Sequence, residues 1–247
     1  SAESYFNHFE VTPELMQKVI SAAMEKGADY ADLFFEHTLA NYSALEDGKV
    51  NSSYSNIDFG VGIRVLKGEQ TGYAYSANLT PDAMLKAART AAHIEDSSGK
   101  YSPVSINEYT APNYYPVKTS WEEISVKDKI PFIQRMNDNI FAADKRVTKV
   151  NAVLGDSASY VLFCNSDGLI AWDYRPMVLL YGICIMEQNG QIENFFVGRS
   201  HRMGYEFLTN ELVDELSKSV VEKTSLLFTA GKPKAGEMEV VMGAGES

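Results

Sequence analysis

The chain has 247 residues, 45% hydrophobic and 22% charged, which is long enough to bury a substantial core and too apolar for disorder to be expected. Its 22 basic and 33 acidic residues leave a net charge of −11 with no lysine or arginine run, a surface that repels phosphate backbones and disfavours direct nucleic-acid binding. The first ten residues are polar and mixed, unlike a signal peptide, and no apolar run reaches membrane-spanning length, so a cytoplasmic protein without membrane contact is expected.

The first predicted helix is well punctuated. Thr12 is its N-cap, Pro13 takes the first helical position, and Leu15, Met16, Val19, Ile20, Ala23 and Met24 form an apolar stripe that Gly27 closes. Val11 is placed to staple against Met16. Strands follow at Ala31 to Thr38, Tyr42 to Leu45 and Val50 to Ser55, with a hairpin turn at Asp47-Gly48. Phe59, Val61, Ile63 and Val65 alternate with Gly60, Gly62 and Arg64, the period of a strand with one buried face and one thin face. After Lys67-Gly68-Glu69-Gln70, residues Thr71 to Ser76 return with Tyr73 and Tyr75 on one side. The glycines either mark tight packing within a structural hairpin or let another backbone, such as a bound peptide, approach closely. Thr80-Pro81-Asp82 then opens a helix bearing Met84, Leu85, Ala88, Ala91 and Ala92.

Glu95 to Thr119 is rich in Ser, Pro, Tyr and Asn and reads as a long surface connection, its tyrosines either laid over the core or forming a binding platform. Beyond it the pattern repeats. A helix over Lys129 to Ala143 carries Pro131 in its opening turn, and strands follow at Val147 to Leu154, Ser159 to Cys164, Leu169 to Tyr174, Val178 to Met186 and Ile192 to Arg199. Turns fall at Ser166-Asp167-Gly168 and Gln188-Asn189-Gly190. Thr209 caps a last helix that ends near Gly231. Asp47-Gly48 thus matches Asp167-Gly168, and the expected fold class is α+β: a duplicated helix, antiparallel strands, helix unit, with mixed or antiparallel sheets covered by helices. The two repeats span about 1–95 and 120–230 and are joined by loop 96–119. After Gly231 to Gly236, Met238 to Met242 (MEVVM) predicts one more strand.

The sequence carries no catalytic constellation at a recognisable spacing. His8, His37, His93 and His201 include no H-E-x-x-H or H-x-H spacing. His37 follows Glu36, but strand neighbours point to opposite faces. His93, near Glu95 and Asp96, suits a helix C-terminus, and His201 lies between Arg199 and Arg202 at a turn. Gly155-Asp156-Ser157-Ala158-Ser159 fails the nucleophile-elbow pattern at its last position. The terminal Gly243-Ala244-Gly245 is too short for a nucleotide loop. Cys164 and Cys184, without C-x-x-C spacing and within apolar runs, predict buried reduced thiols, with a disulfide between them as the alternative.

Four segments in order, Gly27 to Asp32 (GADYAD), Leu45 to Val50 (LEDGKV), Gly60 to Val65 (GVGIRV) and Gly72 to Tyr75 (GYAY), together resemble the N-terminal half of the TldD/PmbA proteins. The likeness is strongest over Pro13 to Ala92 and resumes at Met238 to Ser247. It implies a zinc-dependent peptidase, once named a modulator of DNA gyrase, built as a homodimer or as a heterodimer of TldD-like and PmbA/TldE-like subunits. In the TldD-like member an H-E-x-x-x-H helix of the C-terminal half binds zinc through two histidines while the glutamate activates water. No position here matches that motif, so the resemblance carries over no catalytic residue or metal ligand, and zinc is expected only in the intact protein. It makes residues 1–235 an N-terminal domain that admits unfolded or short peptide substrates and builds a subunit interface, and residues 236–247 the first strand of a truncated metallopeptidase domain. Gly60, Gly62, Arg64 and Tyr73 are the candidate peptide-binding residues, acting by strand addition. The alternative is a non-catalytic PmbA/TldE-like partner subunit or a protein-binding adaptor.

Overall fold

A computed structural model describes residues 1–93, 101–232 and 234–243. The chain opens with α1 (Ala2–Phe9) and α2 (Pro13–Met24). Thr12 caps α2 as its sequence position dictates, its Oγ1 accepting from the Leu15 amide at 3.2 Å. Three strands follow: β1 (Tyr30–Glu46), β2 (Lys49–Lys67) and β3 (Gln70–Ser76). The β1–β2 turn is Asp47-Gly48, both with positive φ (51° and 76°), the geometry whose twist matches paired strands. After α3 (Pro81–Ala92) and the short β4 (Asn107–Tyr109) comes α4 (Val126–Ala143). The second strand set is β5 (Val147–Asn165), β6 (Leu169–Gln188) and β7 (Gln191–His201), before α5 (Asn210–Leu227). Asn189-Gly190 repeats the two-residue turn with φ of 53° and 80°.

All seven strands join one sheet, in the order β3-β2-β1-β5-β6, with both β4 and β7 on the outer side of β6. The repeats therefore share a sheet rather than forming separate ones, meeting where β1 pairs antiparallel with β5. The offset that carries Asp47-Gly48 onto Asp167-Gly168 also carries Thr38 onto Ala158 and Leu39 onto Ser159. These four residues pair as Thr38↔Ser159 and Leu39↔Ala158. An approximate two-fold axis thus passes through the middle of the central ladder.

The helices lie on one face. Along β1 the odd-numbered residues face them, and because the strands are long this face carries two cores. Leu33, Phe35, Val61, Ile63, Leu162 and Cys164 pack with α2 and α3 at one end. Leu45, Val150, Ala152, Leu154, Leu180 and Cys184 pack with α4 and α5 at the other. Between them sits a polar waist. Lys129 Nζ reaches both Asp156 oxygens at 2.8 Å, with side chains 2% and 1% exposed, and Asn41 Nδ2 donates to the same carboxylate. Among the described residues no helix lies on the opposite face, which leaves Tyr54, Met177, Leu179, Ile192 and Phe196 exposed.

Several expectations are corrected. Residues 1–10, read as merely polar, form α1; Ala2, Tyr5, Phe6 and Phe9 have helical spacing, and Ala2 and Phe9 are buried. The paired short strands are continuous, because polar stretches such as Ser52 to Asn56 face solvent on one side while their backbone stays in the ladder. The helix with Pro131 begins at Val126, so the proline lies in the second turn. The final helix ends at Leu227, short of Gly231. Met238 to Met242 is irregular and exposed, Val241 by 96%, since a strand requires a partner ladder and none of the described residues supplies one. Glu95, Asp96 and Gly245 lie outside the described residues.

Candidate functional site

The structure brings the four predicted peptide-binding residues together on the helix-free face. Arg64 pairs across the sheet with Tyr73, and Gly62 with Tyr75. The thin face of β2 is filled from within the hairpin: a Cβ on Gly62 would lie 2.7 Å from the Tyr73 hydroxyl, and one on Gly60 would lie 2.5 Å from the Tyr75 hydroxyl and 2.6 Å from the Ser76 carbonyl. Tyr75 also donates to the Phe59 carbonyl at 2.7 Å. Of the two readings of the glycines, tight packing is the one this geometry realises. β3 pairs with β2 from Val61 to Lys67, so Gly62 and Arg64 lie between two strands, whereas residues 49–60, Gly60 among them, pair among the described residues only with β1; beyond Val61 the outer edge belongs to β3, where Tyr73 is 64% exposed. Arg64 donates through Nε and Nη2 to Asp32 Oδ2, and this neighbour raises its pKa further.

A second cluster, missed from the sequence, surrounds α1 at the polar waist. His8 Nε2 and His37 Nδ1 are hydrogen-bonded at 2.8 Å, and the His8 ring stacks on Tyr160 at 4.2 Å. Tyr160 donates to Glu122 at 2.8 Å, and Ser120 donates to Glu122 as well as bonding the Tyr174 hydroxyl. Burial, then the His37 ring, lowers the His8 pKa, while burial and Glu122 push Tyr160 upward. The cluster is a hydrogen-bonded seat for α1. The signal available beforehand was the helical spacing of α1, which would place His8 beside Phe9 near the sheet.

These residues do not fit zinc. His8 and His37 bring together only two nitrogens, fewer than the three or four protein ligands a zinc site uses. Among the described residues no cluster of three His, Cys, Asp or Glu side chains forms. His93 is exposed after α3, and His201 ends β7 with its ring 5.4 Å from Phe207. The arginines beside His201 are engaged elsewhere, Arg199 with Glu215 and Arg202 with Asp173. Cys164 and Cys184 are free and buried in different cores, where desolvation pushes their thiols up to about 12 and about 11. Among the described residues no helix is long and apolar enough to cross a membrane.

Residues 31–94 match the family model for PmbA/TldA metallopeptidase domain 1, and residues 119–228 match that for the PmbA/TldA metallopeptidase central domain. A metalloprotease TldD homolog of Haemophilus influenzae is 29% identical over 243 residues, covering 95% of this chain and 50% of that protein. Among solved structures, a protein described as a modulator of DNA gyrase from Thermotoga maritima superposes with a TM-score of 0.69 at 20% identity, covering 90% of this chain and 50% of its own. TldE from Thermococcus kodakarensis does so at 0.61 and 16% identity, covering 85% of this chain and 47% of its own. The chain spans about half the length of the curated relatives it matches. At these identities the structures show a shared fold, while the two domain models, falling in order over most of the chain, identify the lineage: the chain belongs to the PmbA/TldD metallopeptidase family, over that family's first and central domains.

Proposed function

We propose that this chain is the substrate-admitting and subunit-facing portion of a TldD-like zinc peptidase of the cytoplasm, acting on unfolded or short peptides. The observation that carries the reading is the asymmetry of the sheet. All helices pack on one face, and the other presents Tyr54, Met177, Leu179 and Phe196 to the outside. An apolar, hydrogen-bond-rich sheet of this kind suits a subunit interface or an extended peptide. We assign the metal and the water it activates to the part of the relatives' length that this chain does not span. The chain's own residues bind and orient the peptide, the β3 edge with Arg64 and Tyr73 being one place to do so.

The test uses the intact gene product, loaded with zinc and given an unstructured peptide. Hydrolysis abolished by a chelator and restored by zinc is expected. No hydrolysis, or hydrolysis indifferent to chelation, overturns the peptidase reading. The fold shared with a TldE favours a second reading, a non-catalytic partner subunit in a heterodimer. Under that reading the intact protein purifies without zinc and becomes active only in complex with a zinc-bearing relative.

A further inference from the structure

The outer side of β6 is paired at both ends and open between them. β4 takes residues 169–171 and β7 takes residues 178–188, and among the described residues no strand pairs with residues 172–177 on that side. At roughly 3.3 Å per residue the gap is about 20 Å long. The Tyr174 carbonyl points into it, where Arg202 Nη2 donates to it at 2.8 Å. By strand alternation the peptide groups of Trp172 and Pro176 point the same way. Among the described residues no backbone hydrogen bond from another segment reaches them.

This gap opens into a cleft of about 790 Å³ that loop residues Tyr114 and Tyr115 wall on the far side. Tyr114 is 76% exposed, and Arg202 stacks over Tyr115 at 4.5 Å. Asp173 is shared by two cations, accepting from Arg175 Nε at 2.9 Å and Arg202 Nη2 at 2.6 Å. Asp173 takes up only the Arg175 Nε and one Arg202 Nη2 donor, so the guanidiniums keep further donors to offer. The Arg175 Nη donors and Arg202 Nη1 have no acceptor among the described residues, and Arg202 Nε is buried without a partner. Glu122 accepts from Tyr160 and Ser120 and Glu206 from the amides of Lys118 and Thr119; among the described residues neither forms an ion pair with Arg175 or Arg202, whose carboxylate partner is Asp173.

We infer that this cleft docks the carboxyl end of an extended peptide. The peptide adds as a short strand at Trp172 and the Tyr174 amide, the Tyr174 carbonyl being already held by Arg202; its terminal carboxylate takes the spare guanidinium donors of Arg175 and Arg202, and its side chains lie against Tyr114 and Tyr115. The inference rests on the peptide-handling reading above and names the end of the substrate that is recognised. Pro176 lacks an amide donor, so the ladder is incomplete there and the carboxylate contact supplies the anchoring.

The test measures binding of a fluorescent, unstructured hexapeptide with a free carboxyl terminus, the same peptide as its C-terminal amide, and the amide with a penultimate glutamate. The free acid is expected to bind roughly tenfold more tightly than either amide, the scale of one charge-assisted hydrogen bond. Arg175→Gln, an exposed position whose variant should melt with the wild type, is expected to bring acid and amide within about twofold, and Tyr114→Ala to weaken both. Equal binding of acid and amide, an acidic side chain replacing the terminal carboxylate, unchanged discrimination in Arg175→Gln, or no binding overturns the inference. Hydrolysis is scored separately on the intact protein. Zinc-dependent cleavage without acid preference in binding removes this site and leaves the peptidase reading; acid-selective binding without cleavage does the reverse.

Discussion

His8 Nε2 meets His37 Nδ1 at 2.8 Å across a single hydrogen bond, and α1 rests on the sheet through that contact. One ring must accept, so both cannot be charged while it persists. The His8 pKa is lowered in the folded chain, first by burial and then by His37. The unfolded chain therefore takes up this proton first. The contribution to stability is fully present above about pH 6.5, the ordinary histidine value, and is lost as pH falls through the lowered folded value. Melting between pH 7.5 and 5 should show a larger acid loss for wild type than for His8→Gln, with a tryptophan or amide-exchange probe reporting loosening of α1. Parallel pH profiles would remove the histidine pair as its cause.

The buried Lys129–Asp156 pair crosses the waist between the two cores. Removing one partner leaves an uncompensated charge in a site with almost no water. Lys129→Met or Asp156→Asn should each cost about 3–5 kcal/mol in urea unfolding. Lys129→Met combined with Asp156→Leu should recover much of that loss, because neither charge then remains buried. Single variants within about 0.5 kcal/mol of wild type would show that water reaches the pair.

The hairpin glycines should differ in cost. A Cβ at Gly62 meets the far end of the Tyr73 side chain, which is exposed and free to swing outward, whereas one at Gly60 meets the Ser76 backbone carbonyl as well as the Tyr75 hydroxyl. Gly60→Ala is expected to destabilise by about 1–3 kcal/mol and Gly62→Ala by less. Adding Tyr73→Ala should rescue Gly62→Ala and leave Gly60→Ala unimproved. Equal costs for the two variants would contradict this packing.

The two thiols lie in separate cores, one beside α2 and α3 and the other beside α4 and α5. With both pKa values pushed far above neutrality by desolvation, neither should react with an aromatic disulfide reagent at pH 7 in the folded state. Two equivalents should appear on unfolding. Rapid native reactivity of either would mean that its core opens.

Local chemistry made much of the chain legible without coordinates. Thr12, Thr209 and the glycine turns act within a few residues of themselves, so the caps of α2 and α5 and the hairpins at Asp47-Gly48 and Asn189-Gly190 fall where the sequence puts them. The matching turns likewise announced the duplication. Strand continuity was not legible, because alternation fades wherever one face is solvated, as along Ser52 to Asn56. Nor was the filling of Gly60 and Gly62 by tyrosines across the hairpin, since that depends on cross-strand register.

The amino-acid order alone thus determined helices α2 to α5, most of the turns, the α+β class and the kinship. Tertiary structure decided that both repeats enter one sheet, that every long helix lies on the same side, and that His8 meets His37 and Arg202 meets Asp173. Capping and turning depend on neighbours along the chain, whereas faces, edges and buried pairs depend on which distant segments a twisted sheet brings within a few ångströms.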